Sequence, residues 1–129
     1  MPRQIIAPPF VHKTTGYSHA VRAGNTLYVA GQVALDPDGK LVGDGDIDAQ
    51  VAQVWQNLRS VLAHAGGSLD DIVKITVFTT DLAHRPAIAA ARAAVFPHGR
   101  YPASTFLVVQ SLAQPEVLVE IEAIAVLGE

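Results

Sequence analysis

The sequence contains no cysteine and few charged residues, and both shortages exclude classes of protein. Without cysteine the chain can form no disulfide, thiolate zinc site, iron–sulfur cluster or cysteine nucleophile. Charged residues make up 16% of the chain, against about 25% in an average soluble domain. The formal net charge is −3, and no basic cluster is available to neutralise phosphates, so a nucleic-acid-binding function is disfavoured.

Long hydrophobic runs are also missing. Hydrophobic residues make up 50% of the chain, yet no segment approaches the ~20 consecutive apolar residues of a transmembrane helix. The 129 residues suit one domain spanning residues 1–129. We expect a cytoplasmic protein, because the lack of cysteine suits a reducing compartment. We also expect an oligomer, because a chain so poor in charge is suited to covering part of its surface with another subunit.

Hydrophobic periodicity and turn residues predict an α+β domain with two helices on one sheet. Residues 1–16 are expected to be irregular because Pro8-Pro9 and Gly16 interrupt them. The predicted strands are 18–21, 26–35, 40–42 (short), 71–80, 103–109 and 117–126, and the predicted helices are 47–65 and 86–96.

The last predicted strand has two largely apolar faces. Two helices can cover only one face of the sheet, so the other face needs a partner, most simply a second copy of the chain. Glu120 and Glu122 project from the same face, two residues apart. If a neighbour covers that face, burial raises the pKa of such a carboxyl toward general acid–base use. An ordinary hydrogen bond or ion pair between subunits is the alternative.

Other potential sites are better explained structurally. Residues 44–48 copy the start of a calcium-binding loop but lack its glycine and its closing glutamate, so helix capping is favoured. Trp55 is expected in the core or at an interface. The histidines have no metal-ligand spacing and are expected on the surface or in loops. They are His12, His19, His64, His84 and His98.

Five segments resemble the RidA/YjgF family of reactive-intermediate deaminases. They are residues 16–20 (GYSHA), 29–33 (VAGQV), 71–78 (DIVKITVF), 101–103 (YPA) and 119–126 (VEIEAIAV). The resemblance is collinear from about residue 5 to residue 127. It implies a chorismate-mutase-like fold with a six-stranded mixed sheet, and a homotrimer whose sheets form a central β-barrel with clefts between subunits. It also implies hydrolysis of enamines and imines such as 2-aminoacrylate without a metal or organic cofactor.

Some cleft positions of that family are kept here and others are changed. The resemblance implies that Glu120 positions the hydrolytic water, that Tyr17 lines the cleft, and that the Gly31 backbone and Gln32 contact or orient the substrate. The family's carboxylate-binding arginine corresponds to Ser104 in this chain. The other changed positions are Ala30, Ala89 and Phe106.

The missing arginine predicts an altered substrate. A charged hydrogen-bonded contact contributes roughly 1.5–3 kcal/mol, so hydrolysis of 2-aminoacrylate is expected to be inefficient. Ser104 or Thr105 would then act as a neutral donor. Arg100, four residues before Ser104, is either a replacement for the arginine or an ordinary loop residue.

Three functions remain open at this stage. The first is a Rid-type hydrolase acting on a small imine or enamine metabolite. The second is a non-catalytic trimer of the same fold that binds a small ligand or acts as a chaperone. The third, ribonuclease activity, fits poorly with the net charge of −3. We expect a small-molecule substrate, a homotrimer, and no nucleic-acid or membrane partner.

Overall fold

The computed structural model describes residues 2–128, which form one mixed sheet with two α-helices. The strands are β1 (Arg3–Ile6), β2 (Ala20–Ala23), β3 (Thr26–Gln32), β4 (Ile72–Thr79), β5 (Ala103–Val108) and β6 (Val119–Val126), and the helices are α1 (Ile47–His64) and α2 (Arg85–Val95). The six strands lie in the order β1-β2-β3-β6-β4-β5. Only β4 and β5 run parallel, because α2 connects them as a crossover. The predicted α+β class and six-stranded mixed sheet are confirmed.

Helix α1 covers the centre of the sheet. Asp46 caps its first turn, since the side-chain Oδ1 accepts a hydrogen bond from the Ala49 amide at 3.2 Å. The apolar stripe predicted for this helix is buried against β3 and β6. That stripe is Val51, Val54, Leu58, Val61 and Leu62. The capping interpretation of residues 44–48 is therefore confirmed.

The other side of the sheet, which we call the open face, has no helix against it. In β6 the buried residues Val119, Ile121, Ala123 and Ala125 point to the helices, and the alternate residues point to the open face. Tyr28, on the neighbouring strand, is 52% exposed there. The two-sided pattern of the last strand thus leaves an uncovered, partly apolar surface in one subunit.

Two predicted elements at the start of the chain are wrong. Residues 1–16 were expected to be irregular, but Arg3–Ile6 form an edge strand by pairing antiparallel with Ala20–Ala23. Three of its four residues are exposed, so this strand depends on pairing rather than on a hydrophobic pattern. The short strand expected at 40–42 is reduced to an isolated bridge between Leu35 and Leu41.

Within residues 2–128 no helix has the length and apolar character needed to cross a membrane.

Candidate active site

Glu120 and Gly31 are in close contact on two neighbouring strands. A β-carbon built on Gly31 would lie 2.6 Å from Cδ and 2.8 Å from Cγ of Glu120, which is closer than real β-carbons approach other atoms. The Glu120 side chain therefore lies directly over the Gly31 backbone. Only glycine leaves room for the carboxylate in this position.

An irregularity in β3 accompanies this contact. Val29 pairs with Ala123 and Gln32 pairs with Ile121, so β3 uses three residue steps where β6 uses two. The extra residue is a β-bulge, and bulges commonly redirect side chains near functional sites. Here the bulge includes Gly31 and turns Gln32 toward the interior, where it is 0% exposed.

Burial changes the chemistry of Glu120. Its pKa is raised above the usual value, first by desolvation of the half-buried carboxyl and second by the negative charge of Glu122. Glu122 is exposed and lies on the same face of β6. The shift is thus present in one subunit, whereas the expectation tied it to a neighbour covering this face. A carboxyl with a raised pKa can exchange protons near neutral pH more readily than an ordinary glutamate.

Behind this contact lies a buried polar network. The Gln32 side-chain amide donates to the Ala30 carbonyl at 3.2 Å and to Nδ1 of His19 at 3.0 Å. The other ring nitrogen of His19, Nε2, lies 2.6 Å from the His12 carbonyl oxygen. An imidazole that donates from Nε2 and accepts at Nδ1 satisfies both contacts.

Burial distinguishes these histidines from surface residues. His12 and His19 lie in the loop before β2, as one of the two expectations had it, but they are only 7% and 5% exposed. Gln32 was expected to line the cleft or to orient the substrate; it is completely buried and bonds to His19 and to the Ala30 carbonyl, which suits an indirect, orienting role. The histidine spacing did not reveal this network because His19 bonds to the backbone carbonyl of His12 and to the Gln32 side chain, and neither contact needs a metal-ligand spacing.

Tyr17 lies at the open end of the same network. Its ring is 54% exposed, and its centroid is 6.4 Å from that of His19 in an edge-to-face arrangement. Tyr17 also lines a pocket of ≈ 460 Å³ together with His12 and His19. Tyr17, the bulge and Glu120 thus form one continuous group, which we call the glutamate cluster.

A second group of expected residues lies elsewhere. Ser104 and Phe106 of β5 and Ala89 of α2 line a pocket of ≈ 430 Å³ between this strand and this helix. The pocket also contains two residues that the sequence did not single out, Arg85 and Arg92. We call this site the arginine pocket. Its remaining lining residues are Ile88, Tyr101 and Pro102.

The structure separates two other expected residues from this pocket. Thr105 points to the open face, where its hydroxyl oxygen accepts a hydrogen bond from Lys74 Nζ at 2.8 Å, because neighbouring residues in a strand point to opposite faces. Arg100 is exposed in the loop before β5 and is not among the residues lining the pocket. Within one subunit, Arg100 is therefore a loop residue outside the pocket, and of the two alternative neutral donors only Ser104 lines it.

The spacing of the two arginines in the sequence indicates that they share a helix face. Arg85, Ala89 and Arg92 are four and three residues apart, which places all three on one face of α2. The predicted helix begins at Pro86, whereas α2 begins at Arg85. Extending the helix by one residue brings both guanidinium groups to the face that carries Ala89.

In a single subunit the glutamate cluster and the arginine pocket cannot meet. Ser104 points to the helix side of β5, whereas Glu120 points to the open face of β6. Strand β4 also lies between β5 and β6. A site containing both groups therefore requires residues from two subunits.

The remaining sequence features are structural. Trp55 is 3% exposed and packs edge-to-face on Phe96 with 5.7 Å between ring centroids, so its expected core position is confirmed. Within residues 2–128 no group of three or more histidine, aspartate or glutamate side chains is arranged to hold a metal ion.

Comparison with known proteins identifies the family. Residues 10–127 match the family model described as Endoribonuclease L-PSP. The 3-aminoacrylate deaminase RutC of Acinetobacter baylyi is 36% identical over 126 residues, which cover 97% of this chain and 98% of that protein. A RutC family protein of Pyrococcus horikoshii is 39% identical over 109 residues, which cover 84% of this chain and 85% of that one.

Solved structures agree with this assignment. The crystal structure of YyfA from Yersinia pestis, a protein of unknown function of the conserved Rid family, matches with a TM-score of 0.93 and 34% identity. The match covers 98% of this chain and 100% of that one. The family match, the sequence relatives and this structure together establish that the chain belongs to the RidA/YjgF family.

Proposed function

We propose that the protein is a RidA-like hydrolase that releases ammonia from a small imine or enamine metabolite, in clefts between the subunits of a homotrimer. The observation that carries the proposal is the Glu120 carboxyl, which lies over the Gly31 backbone with a raised pKa. Such a group suits proton transfer to and from water at neutral pH. The name of the Acinetobacter baylyi relative, a 3-aminoacrylate deaminase, supports an enamine-derived substrate.

In the proposed reaction an enamine first takes a proton from solvent on carbon and becomes an iminium ion. Glu120 then accepts a proton from a water molecule while the water oxygen bonds to the iminium carbon and the C=N π electrons return to nitrogen. The protonated Glu120 gives that proton to the nitrogen of the carbinolamine, the C–N bond breaks to release ammonia, and the hydroxyl loses its proton to solvent to leave the carbonyl compound. Tyr17 borders the substrate, and the polar backbone at the Gly31 bulge orients it.

The trimer is part of the proposal because one subunit does not bring the two halves of the site together. The open face carries the apolar side chains of Tyr28 and Ile124, which need a covering partner. Packing open faces around a central axis buries these residues. It also offers a way for the arginine pocket of one subunit to approach the glutamate cluster of the next.

Ser104 limits the choice of substrate. It is a neutral residue in a pocket position where a guanidinium would pair with a carboxylate next to the reacting carbon. We therefore propose that 2-aminoacrylate, whose carboxylate is attached directly to the reacting carbon, is a poor substrate.

The same substitution favours a second candidate, a trimer that binds a small ligand without chemistry. Ribonuclease activity, which the family description names, is disfavoured because a net charge of −3 gives little attraction for a phosphate backbone.

The test is hydrolysis of an imine generated in solution by an amino-acid oxidase, with release of ammonia and keto acid as readouts. The wild type, Glu120→Gln and Ser104→Arg proteins are compared. Turnover that is lost in Glu120→Gln supports the hydrolase, and turnover that is unchanged in this variant contradicts the role of Glu120. Activity seen only in Ser104→Arg supports the hydrolase with an altered substrate. If neither the wild type nor Ser104→Arg releases ammonia or keto acid, the non-catalytic trimer that binds a small ligand is favoured.

A further inference from the structure

The arginine pocket has an unusual charge distribution. Its eight lining residues include two arginines and no aspartate or glutamate. The only ion pair found within residues 2–128 is between His98 and Asp70, so neither arginine has a carboxylate partner in the subunit. Two guanidinium groups that share one concavity without a counter-ion make that concavity favourable for anions.

Aromatic rings hold both guanidinium groups in place. Cζ of Arg85 lies 5.6 Å from the centre of the Phe106 ring, and Cζ of Arg92 lies 6.0 Å from the centre of the Tyr101 ring. Both distances are within the range of cation–π attraction. A guanidinium that stacks on a ring keeps its N–H groups at the edge free for bidentate contact with a carboxylate. The pocket thus has two positively charged groups, Arg85 and Arg92, that can donate hydrogen bonds to an anion.

The two donors are separate from each other. Arg85 and Arg92 are seven residues apart on α2, which is about 10 Å along the helix axis. They also stack on two different rings, one in β5 and one just before it. Between them the pocket is lined by Ile88 and Ala89, which suit a short aliphatic chain. A ligand that satisfies both donors therefore has an anionic group at each end of such a chain.

We infer that the arginine pocket binds a small dicarboxylate, with one carboxylate on Arg85 and the other on Arg92. Joined to the proposed function, on which this part rests, the inference names the substrate class: an imine or enamine that carries a second carboxylate at a distance from the reacting carbon. The binding function absent at Ser104 is then supplied from α2 instead of from β5.

The test is calorimetric titration of the purified protein at pH 7.5 and low salt. Glutarate is the dicarboxylate probe, butyrate is the monocarboxylate, and glutaramide is the neutral analogue. We expect glutarate to bind most tightly. We expect Arg85→Gln and Arg92→Gln each to weaken glutarate binding about tenfold or more, since each removes a charge-assisted contact. Arg59→Gln, which changes an exposed arginine on α1, is the matched control and should have no effect.

Three results would overturn the inference: no glutarate binding to the wild type, equal affinity for glutarate and butyrate, or binding that survives in both arginine variants. Glu120→Gln separates this inference from the proposed function, because Glu120 does not line the pocket. That variant should bind glutarate at least as tightly as the wild type even though hydrolysis is lost. If glutarate binds as expected and no imine is hydrolysed, dicarboxylate binding in the arginine pocket is supported and the proposed hydrolysis is contradicted.

Discussion

The Glu120 carboxylate lies over the Gly31 backbone at a distance that leaves no space for a β-carbon. The two residues come from β6 and from the bulge of β3, which are far apart in sequence but adjacent in the sheet. This contact buries the carboxyl, and burial is the main reason that the pKa of Glu120 is raised. The glycine thus sets both the position and the acidity of the proposed general base.

Replacing Gly31 with alanine should therefore displace Glu120. We expect Gly31→Ala to reduce stability by about 1–3 kcal/mol, as overpacking does, and to remove hydrolysis by moving the carboxylate. Urea denaturation measures the stability.

Adding Glu120→Ala to Gly31→Ala tests whether contact with Glu120 causes the loss of stability. Glu120→Ala removes the three side-chain atoms that the new methyl group would contact. The double variant should therefore recover most of the lost stability while remaining inactive. If the double variant is as unstable as Gly31→Ala alone, the cost comes from the backbone of the bulge, and the steric account of this contact is wrong.

Local patterns predicted most of the sheet and both helices, but not the relationships between distant residues. The apolar stripe of α1 gave its position because one face is continuously buried. Strand β1 was not predicted because its pairing with β2, rather than its own residues, makes it a strand.

The candidate site divides in the same way. The pKa of Glu120 is raised first by burial and second by Glu122, and only the second cause can be read from the spacing of two carboxylates on one face of a strand. The burial of Gln32 was not, because a single extra residue in the β3 bulge changes the direction of its side chain. The spacing of Arg85 and Arg92 places them on one face of α2, but no local pattern shows that this face lines a pocket with Ser104 and Phe106 of β5.

Glu122 should set part of the pH dependence of activity. Its negative charge is the second cause of the raised pKa of Glu120. A general base must be deprotonated, so kcat/KM should fall as the pH falls through this raised pKa. Glu122→Gln removes the charge, lowers the pKa of Glu120 and should move the acidic limb of the profile to lower pH. The measurement is kcat/KM against pH for both proteins.

Glu116→Gln is the matched control, because Glu116 lies in the loop before β6 and is not a cause of the shift. Its profile should coincide with that of the wild type. An acidic limb that stays in place in Glu122→Gln would show that the limb belongs to another group.

His12 should make folding sensitive to acid. Burial and then the neighbouring His19 lower its pKa below 6.5, so the folded protein disfavours the charged ring. The unfolded chain binds a proton below about pH 6.5, and the folded state does so only at lower pH. Stability from this residue is therefore complete above pH 6.5 and is lost as the pH falls through the lowered pKa.

Thermal unfolding between pH 7.5 and pH 5 measures this effect. His12→Phe keeps a ring in the core but cannot take up a proton, so its Tm should fall less steeply with acid than that of the wild type. His64→Gln, at an exposed position near the end of α1, should keep the wild-type slope. Equal slopes for His12→Phe and the wild type would exclude His12 as the acid-sensitive group.

The open face of the sheet should hold the subunits together. Ile124 lies there beside Tyr28, on β6 next to β3, and an aspartate at this position would be buried without a partner in the assembly. Ile124→Asp should therefore reduce the mass measured by analytical ultracentrifugation from that of the proposed trimer to that of one subunit. Ala52→Asp, on the exposed side of α1, should leave the mass unchanged. Because the proposed site combines residues from two subunits, the separated Ile124→Asp subunits should fold and yet lack hydrolysis. A variant that stays active as a monomer would contradict the shared site.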